Sequence, residues 1–275
     1  MTRTMGLSDV HAHLTHPRIL PVIDDVLARA RAAGLTTIVS NGLHPKDNAA
    51  VLALAKRDPL VKPAIGLYPV DAVMREMLAA KVPYPRDEAD DDEPPSAEEA
   101  VAFVRAHVEE AFAVGEVGLD GYWVPEALWP AQEDAFRALV RIAIDADKPL
   151  IVHTRKREQR TLEILQELGA KRVDFHCFGG KVALARKVAE AGYYLSIPAN
   201  ARRSESFTRM LETIPRGQLL LETDCPYLAP EKDQASEPAN VALTWRYAAE
   251  RWGVTEDAAA AQLEANFEAL FGVKP

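Results

Sequence analysis

The chain has little cysteine, no long apolar run and a deficit of positive charge. Two cysteines, Cys177 and Cys225, cannot build a disulfide framework, and their scarcity suits a reducing compartment. Nothing approaches the roughly 18 consecutive apolar residues that a membrane-spanning helix needs. No N-terminal stretch joins a basic region to an apolar run and a cleavage site. A cytoplasmic protein with no membrane association is therefore expected. The net charge of −9 argues against capture of nucleic acid by a broad basic surface. That acidity is local, however. Asp87, Glu88, Asp90, Asp91, Asp92 and Glu93 form one run, and without those six the chain stands at −3.

What is present is ample. With 275 residues, of which 48% are hydrophobic, the chain can bury a substantial core, and a single α/β barrel often reaches this length. Short β-rich runs at residues 7–13, 36–41, 61–67, 113–119, 150–153, 172–178, 193–197 and 219–223 alternate with stretches of helical period. The helical stretches include 19–33, closed by Gly34, 127–146, 162–168 before Gly169, and 183–191 before Gly192. Residues 239–271 read as two closing helices. Eight strands in βα alternation predict one (β/α)8 TIM-like barrel, a single domain over residues 1–275. A doubly wound sheet is the competitor. Its nucleotide-binding form is disfavoured, because the first strand runs into His11-Ala12-His13 and not into a glycine-rich phosphate loop.

Residues 83–95 break the rhythm, combining four prolines with the acidic run. They are expected to form an exposed acidic insertion between the third strand and its helix, which resumes near Ser96 with Glu98 and Glu99 in its first turn. A solvated loop is the plain reading, and a lid or docking loop the alternative.

The chemistry-bearing residues gather at strand ends. Strand alternation puts His11 and His13 on one side, with Asp9 on the same side as a partner behind them or a strand-end cap. Glu116 lies between glycines in an apolar run, where an acid is costly unless paired or metal-bound. His153, His176 and Asp224 close the fifth, sixth and eighth runs. In a barrel all these ends face one rim, so four histidines and two carboxylates would converge there. Such a set exceeds the ligands one catalytic zinc takes, which points to two divalent ions (zinc, manganese or magnesium) with Glu116 between them. Asp224 is placed to accept a proton from the attacking water, which makes Glu116 and Asp224 the candidate catalytic pair.

The segments Asp9-Val10-His11-Ala12-His13, Gly115-Glu116-Val117-Gly118-Leu119-Asp120, Pro149-Leu150-Ile151-Val152-His153-Thr154-Arg155, Phe175-His176-Cys177-Phe178-Gly179-Gly180 and Leu221-Glu222-Thr223-Asp224-Cys225-Pro226-Tyr227-Leu228 resemble the TatD-like metal-dependent deoxyribonucleases, within the wider amidohydrolase-type barrels. The resemblance implies one metal on His11, His13, Glu116 and Asp224, and a second on Glu116, His153 and His176. It also implies hydrolysis of DNA phosphodiesters, often from the 3′ end of a single strand, with DNA as a transient substrate and no obligate protein partner. Two segments depart from the family pattern. Gly66-Leu67-Tyr68-Pro69-Val70 stands where many members carry Gly-x-His-Pro-His, and Leu195-Ser196-Ile197-Pro198-Ala199-Asn200 lacks the expected serine-glycine pattern.

Arg155 and Tyr68 are the candidate substrate contacts, Arg155 by clamping a phosphate and Tyr68 by a hydrogen bond or by stacking on a base. Tyr68 reads equally as a half-buried aromatic beside Pro69. Lys156, Arg157, Arg160, Lys181, Arg202 and Arg203 are expected on exposed helix surface. Cys177 and Cys225 are expected as packed thiols on the far side of their strands. Trp123 and Trp129 flank the rim, either stacking on a base or covering apolar area under the loop. Two further functions remain open: the same metal site acting on an acyl, amide or ester bond, and an inactive barrel serving as a binding scaffold.

Overall fold

The computed structural model describes residues 6–84 and 93–275. Eight parallel strands pair in chain order: β1 Leu7–Ala12, β2 Leu35–Asn41, β3 Val61–Ile65, β4 Ala113–Asp120, β5 Leu150–Arg155, β6 Val173–Phe175, β7 Tyr194–Ile197 and β8 Leu219–Leu221. The sheet curls into a nearly closed (β/α)8 barrel. Where β8 returns to β1, the mouth end of the seam is joined by Asp224 N donating to His11 O at 2.9 Å and His13 N donating to Cys225 O at 2.9 Å.

Helices cover the outside. They are α1 Ile23–Ala32, α2 Pro45–Arg57, α3 Met74–Ala79, α4 Ala97–His107, α5 Trp129–Asp145, α6 Glu158–Leu168, α7 Val182–Glu190, α8 Glu205–Thr213, α9 Val241–Trp252 and α10 Glu256–Phe271. Most turn an apolar stripe inward; in α5 the stripe is Ala135, Phe136, Leu139, Val140, Ile142 and Ala143. α4 starts on a reciprocal capping box between Ser96 and Glu99, which satisfies two orphan backbone donors.

The barrel interior is layered. Val10, Val39, Ala64, Ala113, Ile151 and Leu220 form a buried apolar layer, closed below by Phe267, Leu270 and Phe271 of α10. Phe112 stacks on Phe271 with ring centroids 5.0 Å apart. This dry plug leaves the opposite, strand C-terminal end as the place for a site.

The structure differs from the sequence reading at strand ends and after β3. β1, β3, β6 and β8 stop before His13, Leu67, His176 and Asp224. The backbone there leaves the ladder to turn side chains into the mouth: Asp224, for example, has φ +51°, a left-handed conformation that aspartate tolerates better than most residues. A short helix, α3, precedes the acidic segment, so that segment does not directly follow β3. Residues 85–92 of the expected insertion lie outside the described residues. No helix among the described residues is long and apolar enough to cross a membrane.

Candidate metal centre

Glu116 sits at the middle of the mouth because its neighbours lack side chains. A Cβ on Gly66 would lie 2.5 Å from Glu116 O, and one on Gly118, whose φ is +151°, would lie 1.9 Å from His153 O. Glycine at both positions lets β3, β4 and β5 close on one another at the level of the acid.

The two Glu116 oxygens face different histidines. Oε1 lies 2.9 Å from His153 Nδ1 and 3.0 Å from His176 Nε2, and those two nitrogens are 3.4 Å apart. Oε2 lies 3.5 Å from both His11 Nε2 and His13 Nε2. His11 Nε2 and His13 Nε2 are 3.2 Å apart, and Asp224 Oδ1 is 3.6 and 3.3 Å from them. A tetrahedral ion with bonds of about 2.0–2.2 Å needs donors about 3.3–3.6 Å apart. The donor distances given on the Oε2 side, 3.2–3.6 Å, lie at or near that spacing. The set on the Oε1 side is a tighter triangle of three donors, 2.9, 3.0 and 3.4 Å apart. All six residues expected at the rim are therefore brought together.

Their supports explain the orientation. His153 Nε2 meets Asp120 Oδ2 at 3.1 Å, and His13 Nδ1 meets the carbonyl of Asn41 at 3.2 Å. Each contact ties down one ring nitrogen and aims the other inward, as metal-binding histidines require. The His11 and His176 rings stack with centroids 3.8 Å apart. Beneath them Ser196 Oγ bridges Asp174 Oδ2 at 2.9 Å and Glu222 Oε2 at 2.5 Å, while Glu222 Oε1 lies 3.8 Å from His176 Nδ1.

The electrostatics follow from so many buried groups. Burial would raise the Glu116 carboxyl, but the His176 charge and the hydrogen bonds from His11, His153 and His176 outweigh it and hold it well below the usual range. Burial and the neighbouring His176 push His11 down to about 4. His13 goes the other way: burial opposes its charge, yet Asp224 and Glu116 lift it to about 9. Asp224, despite burial, is held low by His13 and His11. Burial and the Glu116 charge keep the Tyr68 hydroxyl protonated far above neutrality.

Arg155 is exposed at the rim, its guanidinium 3.7 Å from the Tyr122 ring centroid. Tyr68 is half-buried and meets the His153 ring edge-on at 5.1 Å. Among the basic residues expected on exposed helix surface, Arg157 departs. Arg157 is buried over Trp129 and tied to Glu133, not exposed, and Arg160 shares that acid. Arg202 and Arg203 are exposed as expected, Arg202 pairing with Glu250 and Arg203 donating to Ala229 O. Cys177, whose strand ends two residues earlier, packs against the core, and burial raises its thiol. Asp9 accepts from Thr223 N at 2.9 Å and Thr223 Oγ1 at 2.5 Å, so it stitches the β1–β8 seam. Trp123 and Trp129 pack on Val70, Val73, Met74, Met77 and Val124, covering apolar area.

Asp120, Asp174 and Glu222 received no role from the sequence. The signal was available, because each is an acid in an apolar strand run, the same feature that singles out Glu116.

Comparison with known proteins places the chain in a family. Over 255 residues the chain is 29% identical to the human deoxyribonuclease TATDN3, spanning 91% of this chain and 89% of that one. It is 31% identical over 286 residues to the Escherichia coli metal-dependent hydrolase YcfH, spanning 98% and 97%. The fold superposes on the E. coli TatD homologue YJJV with a TM-score of 0.83 at 24% identity, covering 98% of this chain and 99% of that one. The family model for TatD-related DNases matches residues 8–272, and the chain belongs to that family of metal-dependent hydrolases.

Proposed function

We propose that this chain hydrolyses phosphodiester bonds of DNA at a two-metal centre, trimming single strands from the 3′ end. The observation that carries the reading is the division of Glu116, whose Oε1 serves His153 and His176 while Oε2 serves His11 and His13. His11, His13, Glu116 and Asp224 would hold one divalent ion, and Glu116, His153 and His176 the other. Such ions supply Lewis acidity and make a water nucleophilic near neutral pH. The names of the relatives, deoxyribonuclease among them, support DNA as the substrate.

The chain's own residues have separable tasks. Asp224, half-buried at the rim and held as a carboxylate, takes the proton of the attacking water at a free oxygen. Arg155 offers its planar fork of donors to a phosphate. Tyr68 stays a phenol and can donate to a phosphoryl or leaving oxygen. Asp120 holds His153, and Asn41 O holds His13, so the histidines need no reorganisation when substrate arrives.

The test is digestion of a 3′-labelled single strand by purified protein, beside duplex DNA and carboxylic esters. Single-strand turnover should vanish with chelator, return with added divalent ion, and fall about 10²-fold or more in Asp224→Asn. Wild-type digestion by that variant would remove Asp224 from the mechanism. Ester turnover without DNA turnover would move the centre to acyl chemistry.

A further inference from the structure

Two exposed tyrosines stand on opposite banks of the mouth. Tyr122, 52% exposed, follows β4, and Tyr227, 48% exposed, follows β8. In this barrel the β4–β5 side lies across from the seam between β8 and β1. Each ring carries an arginine: Arg155 Cζ lies 3.7 Å from the Tyr122 centroid, and Arg18 Cζ lies 5.3 Å from that of Tyr227. Both arginines are exposed, and no carboxylate among the described residues pairs with either. The two arginines that follow Arg155 are occupied, since Arg157 and Arg160 share Glu133.

Both banks are also tied to the centre. Tyr122 N and Trp123 N donate to Asp120 Oδ1 at 2.7 and 2.8 Å, and the other oxygen of Asp120 holds His153. Tyr227 N donates to Asp224 O at 2.9 Å. A stacked guanidinium keeps its in-plane N–H donors free. An aromatic ring with an unpaired arginine on it thus offers a π-face for a base and a fork for a phosphate, the two halves of a nucleotide.

We infer that Tyr122–Arg155 and Tyr227–Arg18 are two nucleotide subsites that hold an unpaired DNA strand across the mouth, one on each side of the bond to be cut. The inference rests on the DNA reading above and adds the residues that select an unpaired strand. Bases inside a duplex are already stacked and paired, and can meet these rings only after leaving the stack.

The test separates binding from cleavage. A fluorescent single-stranded oligonucleotide is titrated with the full chain under chelator at fixed salt, and Kd is read by anisotropy. Tyr122→Ala and Tyr227→Ala should each weaken binding about fivefold or more, while Tyr122→Phe and Tyr227→Phe bind within about twofold of wild type. An abasic strand should bind weakly and be insensitive to all four substitutions. Circular dichroism melts exclude misfolding, and the phenylalanine variants give the comparison again if an alanine variant unfolds. Alanine variants that bind like wild type, an abasic strand bound as tightly as a normal one, or a wild-type chain that prefers duplex would each overturn the inference. Divalent ion is then added to the same samples. A strand held through both tyrosines yet never cut would sink the DNA-hydrolase reading and leave the subsites standing.

Discussion

Two residues along each strand separate the two ends of the barrel interior, and their chemistry is opposite. Val39, Ile151 and Leu220 belong to the apolar layer; two positions on, with side chains turned the same way, stand Asn41, His153 and Glu222. Below, aromatic side chains of α10 exclude water and leave no polar atom to satisfy. Above, Glu116, His11, His176, Glu222 and Asp174 are as deeply buried as the plug, yet they are polar, and His11 Nδ1, His176 Nδ1 and Glu222 Oε1 have no hydrogen-bond partner. Buried polar groups left in this way cost stability. The plug can be understood as folding alone, whereas the mouth retains a cost that apolar packing does not explain.

The contrast is broken most sharply by one substitution at each end. Glu116→Gln keeps the volume but removes the charge between the histidines, and should lower turnover and metal content together. The turnover loss should be about 10²-fold at least, since even the residues behind metal ligands typically contribute 10–100-fold. Phe267→Ala opens the plug and should cost about 3–5 kcal/mol of stability, with turnover per folded molecule near wild type. Denaturant melts and metal analysis on both variants decide it. A Glu116→Gln protein that keeps full metal content and rate, or a Phe267→Ala protein that loses rate while folded, would erase the division.

This division also accounts for what could be read in the sequence. All eight strands were legible, because short β-rich runs alternated with helical stretches closed by glycines such as Gly169, which ends α6 in the left-handed conformation. The six residues that meet at the mouth were legible because each interrupts or closes an apolar run. Strand ends were misplaced by up to three residues, since His13, His176 and Asp224 serve the site from turns and not from the ladder. α3 was missed because six residues are too few to show a helical period. Asp174 and Glu222 were passed over although the argument for Glu116 applied to them equally. The pairing of Asp9 with Thr223, from opposite ends of the chain, leaves no local pattern at all.

A middle-sized effect is expected where the two ends are built on the same backbone. Gly118→Ala forces a Cβ to within 1.9 Å of His153 O at a φ that ordinary residues avoid. Strain of about 1–3 kcal/mol should appear in the melt. A displaced His153 should lower turnover more than that loss of stability implies, because an ångström of misplacement can cost about 10²-fold. Equal stability and rate in the variant would show that β4 and β5 need not meet so closely. Thr223→Val is smaller. It removes the hydroxyl that donates to Asp9, for about 1 kcal/mol, and should lower stability while sparing turnover in the folded fraction.

The smallest expected signal is about one proton. In the metal-free chain His13 is lifted to about 9 by Asp224 and Glu116 against its burial, while His11 is lowered to about 4. At neutral pH, then, His11 can give its lone pair to an ion at once, but His13 must first lose a proton. Because the folded value of His13 exceeds its ordinary 6.5, its contribution to metal-free stability is complete below about 6.5 and fades as pH rises through about 9. Metal affinity should follow the opposite course, climbing over that same interval as the proton leaves. Calorimetric titration with divalent ion in buffers of different ionisation enthalpy should therefore report proton release at neutral pH, and less of it near pH 9. Loading that releases no proton at neutral pH would mean that His13 is already neutral, and that the acids of the mouth hold the metal-free site together less than its geometry implies.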